Sequence, residues 1–407
     1  MDRSEPHHSS ILKTRRYHLF WIASLLSNVG TWMQQVAQPW VMLTISHSSF
    51  LVGLDSFAMN APGWLLTFWG GSLADRLDRK RIILIFQSIQ FLAIIILVAL
   101  FALGLLQPWM IILISLCVGA TDSLSTPALQ TIVPSIVAKE EISKSISLNS
   151  IQLNLSRTLG PAIAGIILVQ FGAIACFGAN AISFIPFFLS VYWIYPKQGF
   201  EKDLPDSSSS KLPLKDMVKD IFKEKGVRAQ LTTTFITNLF CSPLITFCPV
   251  LVKEIFDGKI KYFGFASTSF GLGGLMGAVI AFFFFSKFRK NSPTYFGISL
   301  GFITIAVALN HSLIILLFLM LLAGAGLSLA NTTANSNLQL QATNQVRGRY
   351  ASLFQLVFRG GLSLGALVTG LCTSRFGIVA ALSINGTLAL VLHAILLFRG
   401  RTKYKGA

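Results

Sequence analysis

The chain has 407 residues, of which 53% are hydrophobic and only 12% are charged, and its mean hydropathy is +0.66. A soluble chain would carry about twice that share of charge, and apolar runs of about 20 residues, long enough to cross the hydrocarbon core as helices, recur along the sequence. A soluble protein is therefore excluded, and a polytopic helical membrane protein is expected.

The beginning of the chain, MDRSEPHHSSILKTR, contains neither an apolar core nor a small-residue cleavage site, so no removable signal peptide is expected. The cysteines all lie within or at the ends of apolar segments. We interpret them as small packing residues rather than disulfide partners or metal ligands, and no metal or cofactor is expected. They are Cys117, Cys176, Cys241, Cys248 and Cys372.

Twelve apolar segments are interpreted as transmembrane helices. Their connections alternate between short, nearly uncharged turns and basic loops, and 27 of the 33 Lys and Arg residues lie at the termini and in the basic loops. The positive-inside rule therefore predicts that both termini and the basic loops are cytoplasmic. The net charge of +17 then reflects orientation and attraction to anionic lipid, and no nucleic-acid partner is expected. The spans are approximately 18–45, 50–73, 82–105, 108–134, 147–171, 173–196, 229–255, 260–286, 293–309, 312–340, 350–373 and 377–398.

The longest loop, residues 197–228, is polar and carries a Ser run and two prolines. It divides the chain into an N-terminal six-helix half, residues 1–196, and a C-terminal six-helix half, residues 229–407. Its last part, LKDMVKDIFKEK, has a weak amphipathic pattern that is compatible with a position along the membrane surface.

An internal repeat relates the fourth and tenth spans. Each carries small and polar residues at offsets 0, 4, 7 and 11, which is one helical face: Ser115, Gly119, Asp122 and Thr126 in the fourth, and Gly324, Ser328, Asn331 and Asn335 in the tenth. Each span is followed by a polar turn and then by a span with one arginine, Arg157 or Arg359. The pattern indicates duplicated halves about a central cavity.

The stretch GGSLADRLDRKRI, residues 70–82, places six charges between two apolar spans. Its motif resembles the loop signature of the major facilitator superfamily between spans two and three, with Asp78 where the general signature has Gly. The block RTLGPAIAG, residues 157–165, is similar to the fifth-span motif of that family's drug/proton antiporters. Blocks such as SNVGTWMQQVAQPW resemble the branch that contains the enterobactin exporter and macrolide efflux proteins. The motif residues are Gly71, Asp75, Arg76, Asp78, Arg79 and Lys80.

The resemblance covers nearly the whole chain and implies the all-α major facilitator fold, with twelve transmembrane helices in two pseudo-symmetric six-helix bundles. Besides Asp78, the chain departs from the family in two places: the fourth span lacks the family's arginine, and the loop SKFRKNSP between spans eight and nine lacks the signature Gly and Asp. Both departures weaken any inference of proton coupling from motifs alone.

Two motifs have roles that the resemblance implies. Asp75 would latch the cytoplasmic side by accepting hydrogen bonds near the start of the eleventh span; the alternative is a loop whose positive charges only set topology. Gly160, Pro161 and Gly165 would form a hinge in the fifth span, or simply a site of tight helix packing. This block favours an exporter over an importer.

Charges inside the membrane are costly and mark functional candidates. Four lie well within spans: Asp55, Asp122, Arg157 and Arg359. Asp122 and Arg157 are both expected near mid-depth, where they could pair, leaving Arg359 for an anionic substrate group such as a carboxylate or catecholate, which would dock at Arg359 or Arg157. The alternative is that Arg359 binds backbone carbonyls or cavity water. Asp122 and Asp55 are the candidate proton carriers.

Polar faces on three further spans are candidates for substrate contact, since by resemblance spans one, four, seven and ten line the cavity. These residues are Asn28, Thr31, Gln35 and Gln38 in the first span, Thr234 and Asn238 in the seventh, and Asn331 and Asn335 in the tenth.

Together these features predict a secondary-active exporter in the bacterial inner membrane. Its substrate would be a small organic molecule, anionic and siderophore-like, moved by alternating access with proton antiport in a protein expected to be monomeric. Alternatives are a multidrug or macrolide efflux pump, uptake of an iron–siderophore complex, and, in a different class, a non-transporting receptor or assembly partner. An enzyme is not expected, because no nucleophile–base or metal constellation is present in the sequence.

Overall fold

The computed structural model describes residues 15–66, 69, 73, 77–135, 137, 141–194, 224–256, 258–288, 290–341 and 347–401. These residues form helices and short connections, without strands. The α-helices are α1 (Arg15–Ser46), α2 (Ser49–Asn60), α3 (Pro62–Leu65), α4 (Arg79–Ala102), α5 (Pro108–Ser135), α6 (Ile142–Ile194), α7 (Lys225–Phe240), α8 (Pro243–Thr246), α9 (Cys248–Ile255), α10 (Ile260–Phe284), α11 (Ser292–Leu309), α12 (Leu313–Gln341) and α13 (Arg347–Arg401).

The two longest helices, α6 and α13, are each broken by a glycine. Gly172 has φ 77° and Gly377 has φ 80°, and residues with a Cβ rarely adopt such backbone conformations. Asn385 donates a hydrogen bond to Thr369 Oγ1 over 2.8 Å, so the two arms of α13 lie side by side on either side of its glycine. Each of these helices is therefore a pair of arms joined by a tight turn.

Membrane crossing is supported by the helices themselves. Seven helices in the described part of the chain are long and apolar enough to span a bilayer, or eight if a pair bent by 48° around Phe247 counts as one span. The chain is thus a multi-pass membrane protein, as expected. The total of twelve spans stays a prediction.

The second and seventh predicted spans are not continuous helices. Pro62 starts α3 directly after the break at Ala61, Pro243 starts α8, and Pro249 is the second residue of α9. Proline lacks the N–H that would continue the preceding helix, so these breaks have a local cause.

The helices have two sets of ends. We call the basic end the side where α1, α4 and α7 begin and α5 and α12 finish; the opposite end holds the turns at His47, Gly172, residues 310–312 and Gly377. At the basic end, the Tyr17 hydroxyl donates to Ser145 O within the first half, and the Tyr350 hydroxyl donates to Glu224, directly before α7.

The two halves are in close contact toward the opposite end. A Cβ built on Gly53 of α2 would lie 2.5 Å from the Ala366 carbonyl oxygen of α13, so only glycine allows this approach. Trp40 of α1 stacks on Phe263 of α10 with ring centroids 5.4 Å apart, and Lys253 Nζ lies 3.0 Å from His47 Nδ1. The opposite end is therefore closed in this structure.

Candidate functional site

Two adjoining cavities lie between the halves. The larger, about 450 Å³, is lined by parts of α1, α5, α6 and α13 that extend to within a few turns of the basic end, as far as Phe20, Gln130 and Ser352. The smaller, about 160 Å³, also involves α2, α7, α10 and α12. Trp32, Gln35 and Arg157 line both. Since the opposite end is closed, the larger cavity extends toward the basic end.

Asp122 of α5 and Arg359 of α13 form an ion pair across the larger cavity. Their Oδ2 and Nη2 atoms are 2.7 Å apart, and the two side chains are 36% and 29% exposed. The expectation that Asp122 could pair with Arg157 is wrong, because the fold brings the second half's arginine to this carboxylate. The expectation that Arg359 lacks a counter-charge is wrong for the same reason.

Arg157 of α6 has a different environment. Its Nη2 donates a hydrogen bond to Gln355 Oε1 over 3.2 Å, and its guanidinium carbon lies 4.3 Å from the ring centre of Phe358 and 5.6 Å from that of Trp32. Among the described residues it makes no ion pair, and Arg359 repels it electrostatically. Arg157 is thus a cation held between aromatic rings, with its charge uncompensated.

The predicted polar faces are partly brought to the cavities. Asn28 and Thr31 line the larger cavity and Gln35 lines both, while Gln38, Asn238 and Asn331 line the smaller. Thr234 and Asn335 line neither: the Thr234 hydroxyl donates to Gln230 O, and Asn335 Oδ1 is buried without a hydrogen-bond partner among the described residues.

Asn238 and Asn331 contact each other across α7 and α12. The Asn238 amide nitrogen donates to Asn331 Oδ1 over 2.8 Å, and Ser242 donates to Asn238 Oδ1 over 2.9 Å. Asn331, at the repeat position equivalent to Asp122, therefore contributes to a neutral amide pair on the wall of the smaller cavity.

Asp55 of α2 is buried beside the smaller cavity and belongs to a hydrogen-bonded network. It accepts from Gln38 Nε2 at 3.0 and 2.7 Å and from Ser115 Oγ at 2.5 Å. Gln38 in turn accepts from Gln34, which accepts from Asn180 of α6. The candidate proton carrier is thus linked to three neighbouring helices.

The motif residues of the first half are partly described. Gly71, Asp75 and Arg76 lie outside the described residues. Asp78 caps α4 by accepting from Lys80 N over 2.9 Å. Arg79 begins α4, and Lys80 Nζ donates to Tyr192 O over 3.2 Å.

The fifth-span motif lies at helix contacts. A Cβ on Gly160 would meet Trp32, one on Gly165 would meet Gly264 and Thr268 of the other half, and Pro161 lines the smaller cavity. Close approach therefore explains the glycines in this structure, and the hinge stays a proposal.

Sequence reasoning missed several residues of the site. Gln355 and Phe358 lie one turn and one residue before Arg359, and a search for polar and aromatic neighbours of that arginine on the same helix would have found them. Gln34 and Asn180 had no such signal, because their role depends on contact between α1 and the second arm of α6. No group of three or more His, Cys, Asp or Glu suited to a metal occurs in the described part of the chain.

With this geometry described, comparison with known proteins identifies the family. A sequence model of the transmembrane secretion effector family, a branch of the major facilitator superfamily, matches residues 8–405. The chain belongs to this family. It is therefore a membrane transporter rather than an enzyme, and the resemblance inferred from the loop motif is confirmed.

Two relatives illustrate the similarity. The staphyloferrin A transporter of Staphylococcus aureus is 29% identical over 387 residues, covering 94% of this chain and 96% of that protein. The enterobactin exporter of Salmonella typhi is 28% identical over 176 residues, which is 42% of each chain.

Solved structures share the fold at low identity. The nucleoside transporter NupG aligns with a TM-score of 0.73 at 13% identity, covering 97% of this chain and all of that one. The D-xylose–proton symporter aligns with a TM-score of 0.72 at 13% identity, covering 93% and 97%. The major facilitator fold is confirmed by these similarities.

Proposed function

We propose that this protein is a secondary-active exporter of a small, anionic, siderophore-like molecule across the bacterial inner membrane. The observation that carries the proposal is the charge of the cavity. Among the described residues, four charged side chains line the two cavities, Asp55, Asp122, Arg157 and Arg359, and of the two arginines only Arg359 makes an ion pair there.

An anionic group on the substrate is the natural partner for Arg157. A cation at membrane depth is costly when uncompensated, and the aromatic faces of Trp32 and Phe358 offset only part of that cost. The planar guanidinium presents a fork of donors that matches a carboxylate or a pair of catecholate oxygens. The rings beside it offer surface for stacking an aromatic or planar part of the substrate.

The relatives support a siderophore-like substrate. One is named a transporter of staphyloferrin A and the other an exporter of enterobactin, and the first matches almost end to end. Macrolide or multidrug efflux and iron–siderophore uptake remain alternatives, but no specific contact among the described cavity residues favours them. A cationic drug would meet Arg157 as a like charge.

The closed opposite end supports transport by alternating access. If the basic end is cytoplasmic, as the positive-inside rule predicts, this structure is inward-facing and substrate enters from the cytoplasm. The halves, residues 1–196 and 229–407, then rock about the cavity, while the loop motif from Gly71 to Lys80 closes the cytoplasmic side and the fifth-span motif from Gly160 to Gly165 bends or packs.

Proton antiport is the proposed energy source, with Asp122 and Asp55 as candidate carriers. A substrate anion that reaches Arg359 competes with Asp122 for the same guanidinium, because both offer oxygens to one fork of donors. Substrate binding at Arg359 would then release Asp122 from its ion pair. Substrate binding is coupled to the charge pairing of the cavity in this way.

The experiment that tests the function is the iron-chelating activity of culture medium under iron starvation. A deletion strain is compared with its parent and with the deletion strain carrying the wild-type gene. Export predicts loss of chelator outside the cells and accumulation inside, with restoration by the gene. Normal secretion together with impaired use of added ferric chelator would instead assign the protein to uptake.

A further inference from the structure

Asp55 differs from Asp122 in what surrounds its carboxylate. Among the described residues its hydrogen-bond partners are neutral: the Gln38 amide at 3.0 and 2.7 Å and the Ser115 hydroxyl at 2.5 Å. The side chain is only 3% exposed. Asp122, in contrast, is held by the Arg359 guanidinium at 2.7 Å.

The amides beside Asp55 form a chain whose donors all point toward it. Asn180 Nδ2 donates to Gln34 Oε1 over 2.7 Å, Gln34 Nε2 donates to Gln38 Oε1 over 3.0 Å, and Gln38 Nε2 donates to Asp55. Aligned in this direction, each amide presents its positive end toward the carboxylate. A buried carboxylate is therefore the end point of a chain of neutral donors that runs through α1 from α6.

In the described part of the chain, the following charged groups lie on the helices around Asp55. From α5 the charged group is Asp122, seven residues from Ser115 and therefore about 10 Å along the helix toward the basic end, and it is paired with Arg359 of α13. Arg157 of α6 lines the smaller cavity together with Asp55. At the opposite end, His47 and Lys253 contact each other and Arg375 of α13 is exposed. The charged residues and the histidine of α1 lie near the basic end: Arg15, Arg16 and His18.

Asp55 is also placed at the contact that seals the opposite end. Gly53, two residues earlier on α2, packs on the Ala366 carbonyl and close to Gly370 of α13. When that contact opens, α2 separates from α13, and the buried carboxylate gains access to the opposite side. In the present structure Asp55 lines the smaller cavity, which shares Arg157 and Gln35 with the larger one.

We infer that Asp55, rather than Asp122, carries the coupling proton, and that the Gln38–Gln34–Asn180 chain links its charge to α1 and α6. This rests on the proton-coupled transport proposed above. One proton binds a carboxylate oxygen of Asp55 while the opposite end is open and leaves toward the basic end after closure. In the protonated state the new O–H donates to Ser115 Oγ, whose own hydrogen turns away. Asp122 is paired with Arg359 when no substrate is bound and is released from it when substrate binds.

The test uses dicyclohexylcarbodiimide, an apolar reagent that adds to protonated carboxylic acids in apolar surroundings. The carboxyl proton goes to a carbodiimide nitrogen and the carboxylate oxygen bonds its central carbon; the adduct then rearranges to a stable N-acylurea. Purified wild-type protein in detergent is labelled over a range of pH, and the modified residue is mapped by mass spectrometry. We expect a label on Asp55 that increases as the pH falls, with Asp122 labelled at least tenfold less.

Two variants sharpen the result. Asp55→Asn should abolish the label, whereas Asp122→Asn, which removes the other carboxylate of the cavities, should leave it. Gln38→Leu should change the pH dependence of Asp55 labelling, because it removes the donor that binds both carboxylate oxygens; a purely structural role would leave that dependence unchanged. A label on Asp122 alone, or none on Asp55 at any pH, overturns the inference.

No substrate takes part in this experiment, so its outcome is independent of the siderophore assay. Because the label is first mapped on the wild-type protein, this result does not depend on whether any variant folds. Loss of chelator export in the deletion strain with no label on Asp55 would preserve the proposed transport and reject Asp55 as its proton carrier. A label on Asp55 with normal chelator secretion would reject siderophore export and keep Asp55 as a site that binds a proton.

Discussion

Asp122 of α5 and Arg359 of α13 join the two halves of the transporter through an ion pair of 2.7 Å inside the larger cavity. Arg157, on the same cavity, makes no ion pair within the described structure and lies 4.3 Å from the ring centre of Phe358. The cavity therefore holds one neutralised and one free cation. The two arginines should therefore respond differently to substitution and to substrate.

The ion pair predicts an asymmetry in stability. Asp122→Asn leaves Arg157 and Arg359 facing the larger cavity with no anion, whereas Arg359→Gln leaves Asp122 facing Arg157. Since both partners are about one third exposed, we expect Asp122→Asn to cost about 1–2 kcal/mol, less than the cost of breaking a fully buried pair, and Arg359→Gln to cost less.

Thermal unfolding of the purified protein in detergent measures this order. Arg375→Gln, at an exposed position of α13, is the control and should leave the midpoint unchanged. If Arg359→Gln lowers the midpoint as much as Asp122→Asn does, the repulsion between the two arginines is not the governing cost.

The aromatic rings beside Arg157 predict a graded effect on substrate binding. Phe358 is closer to the guanidinium than Trp32, 4.3 against 5.6 Å. Phe358→Leu should therefore weaken binding of the exported chelator more than Trp32→Leu, each by about 0.5–2 kcal/mol, or about 2- to 30-fold.

Calorimetric titration of the detergent-solubilised variants with the chelator purified from culture medium measures both affinities. Phe302→Leu, a matched change on the exposed face of α11, should bind as the wild type does. Equal affinity for all three variants would show that the rings fill space without holding Arg157 in place.

The glycine contact at the opposite end predicts a shift in conformation. Gly53→Ala places a methyl group where the Ala366 carbonyl oxygen would be 2.5 Å away, and a backbone atom cannot move aside at low cost. The variant should favour the form in which α2 and α13 separate, with the opposite end open. Gly178→Ala, where a Cβ meets nothing within 4 Å, is the matched control.

Distances between spin labels report this shift. Labels at Thr44 of α1 and Glu254 of α9, both exposed near the opposite end, should move apart in Gly53→Ala and keep the wild-type distance in Gly178→Ala. A wild-type distance in both variants would mean that the contact at Gly53 does not control closure.

The sequence predicted the helical class and the family, and eight of the ten residues that it named for a cavity line one in the structure, because hydropathy and the polar face of α1 are local patterns. It did not predict the partners of the buried charges. Asp122 and Arg157 are on consecutive helices and have suitable depths, yet pairing depends on helix rotation and on contact between halves, which no local spacing encodes. Asn331 has the repeat position of Asp122, but its neighbour Asn238 makes it part of an amide pair.

Gln38 is a residue whose position was predicted correctly but whose hydrogen-bond partners were not. Its spacing placed it correctly on the face of α1 that lines a cavity, and it does line the smaller one. Its hydrogen bonds to Asp55 and Ser115 come from α2 and α5. Only the packing of three helices determines whether such an amide meets substrate or a buried carboxylate.

Chelator transport in everted membrane vesicles measures whether Arg157 binds the anionic group of the substrate. With a proton gradient imposed, vesicles carrying wild-type protein should accumulate the purified chelator. Arg157→Gln should reduce the rate about 10- to 100-fold, the loss of a charge-assisted hydrogen bond, and Arg157→Lys should retain part of it, since the charge remains without the planar fork. Wild-type rates in Arg157→Gln vesicles, at equal protein content, would contradict the assignment of Arg157 as the anion-binding residue.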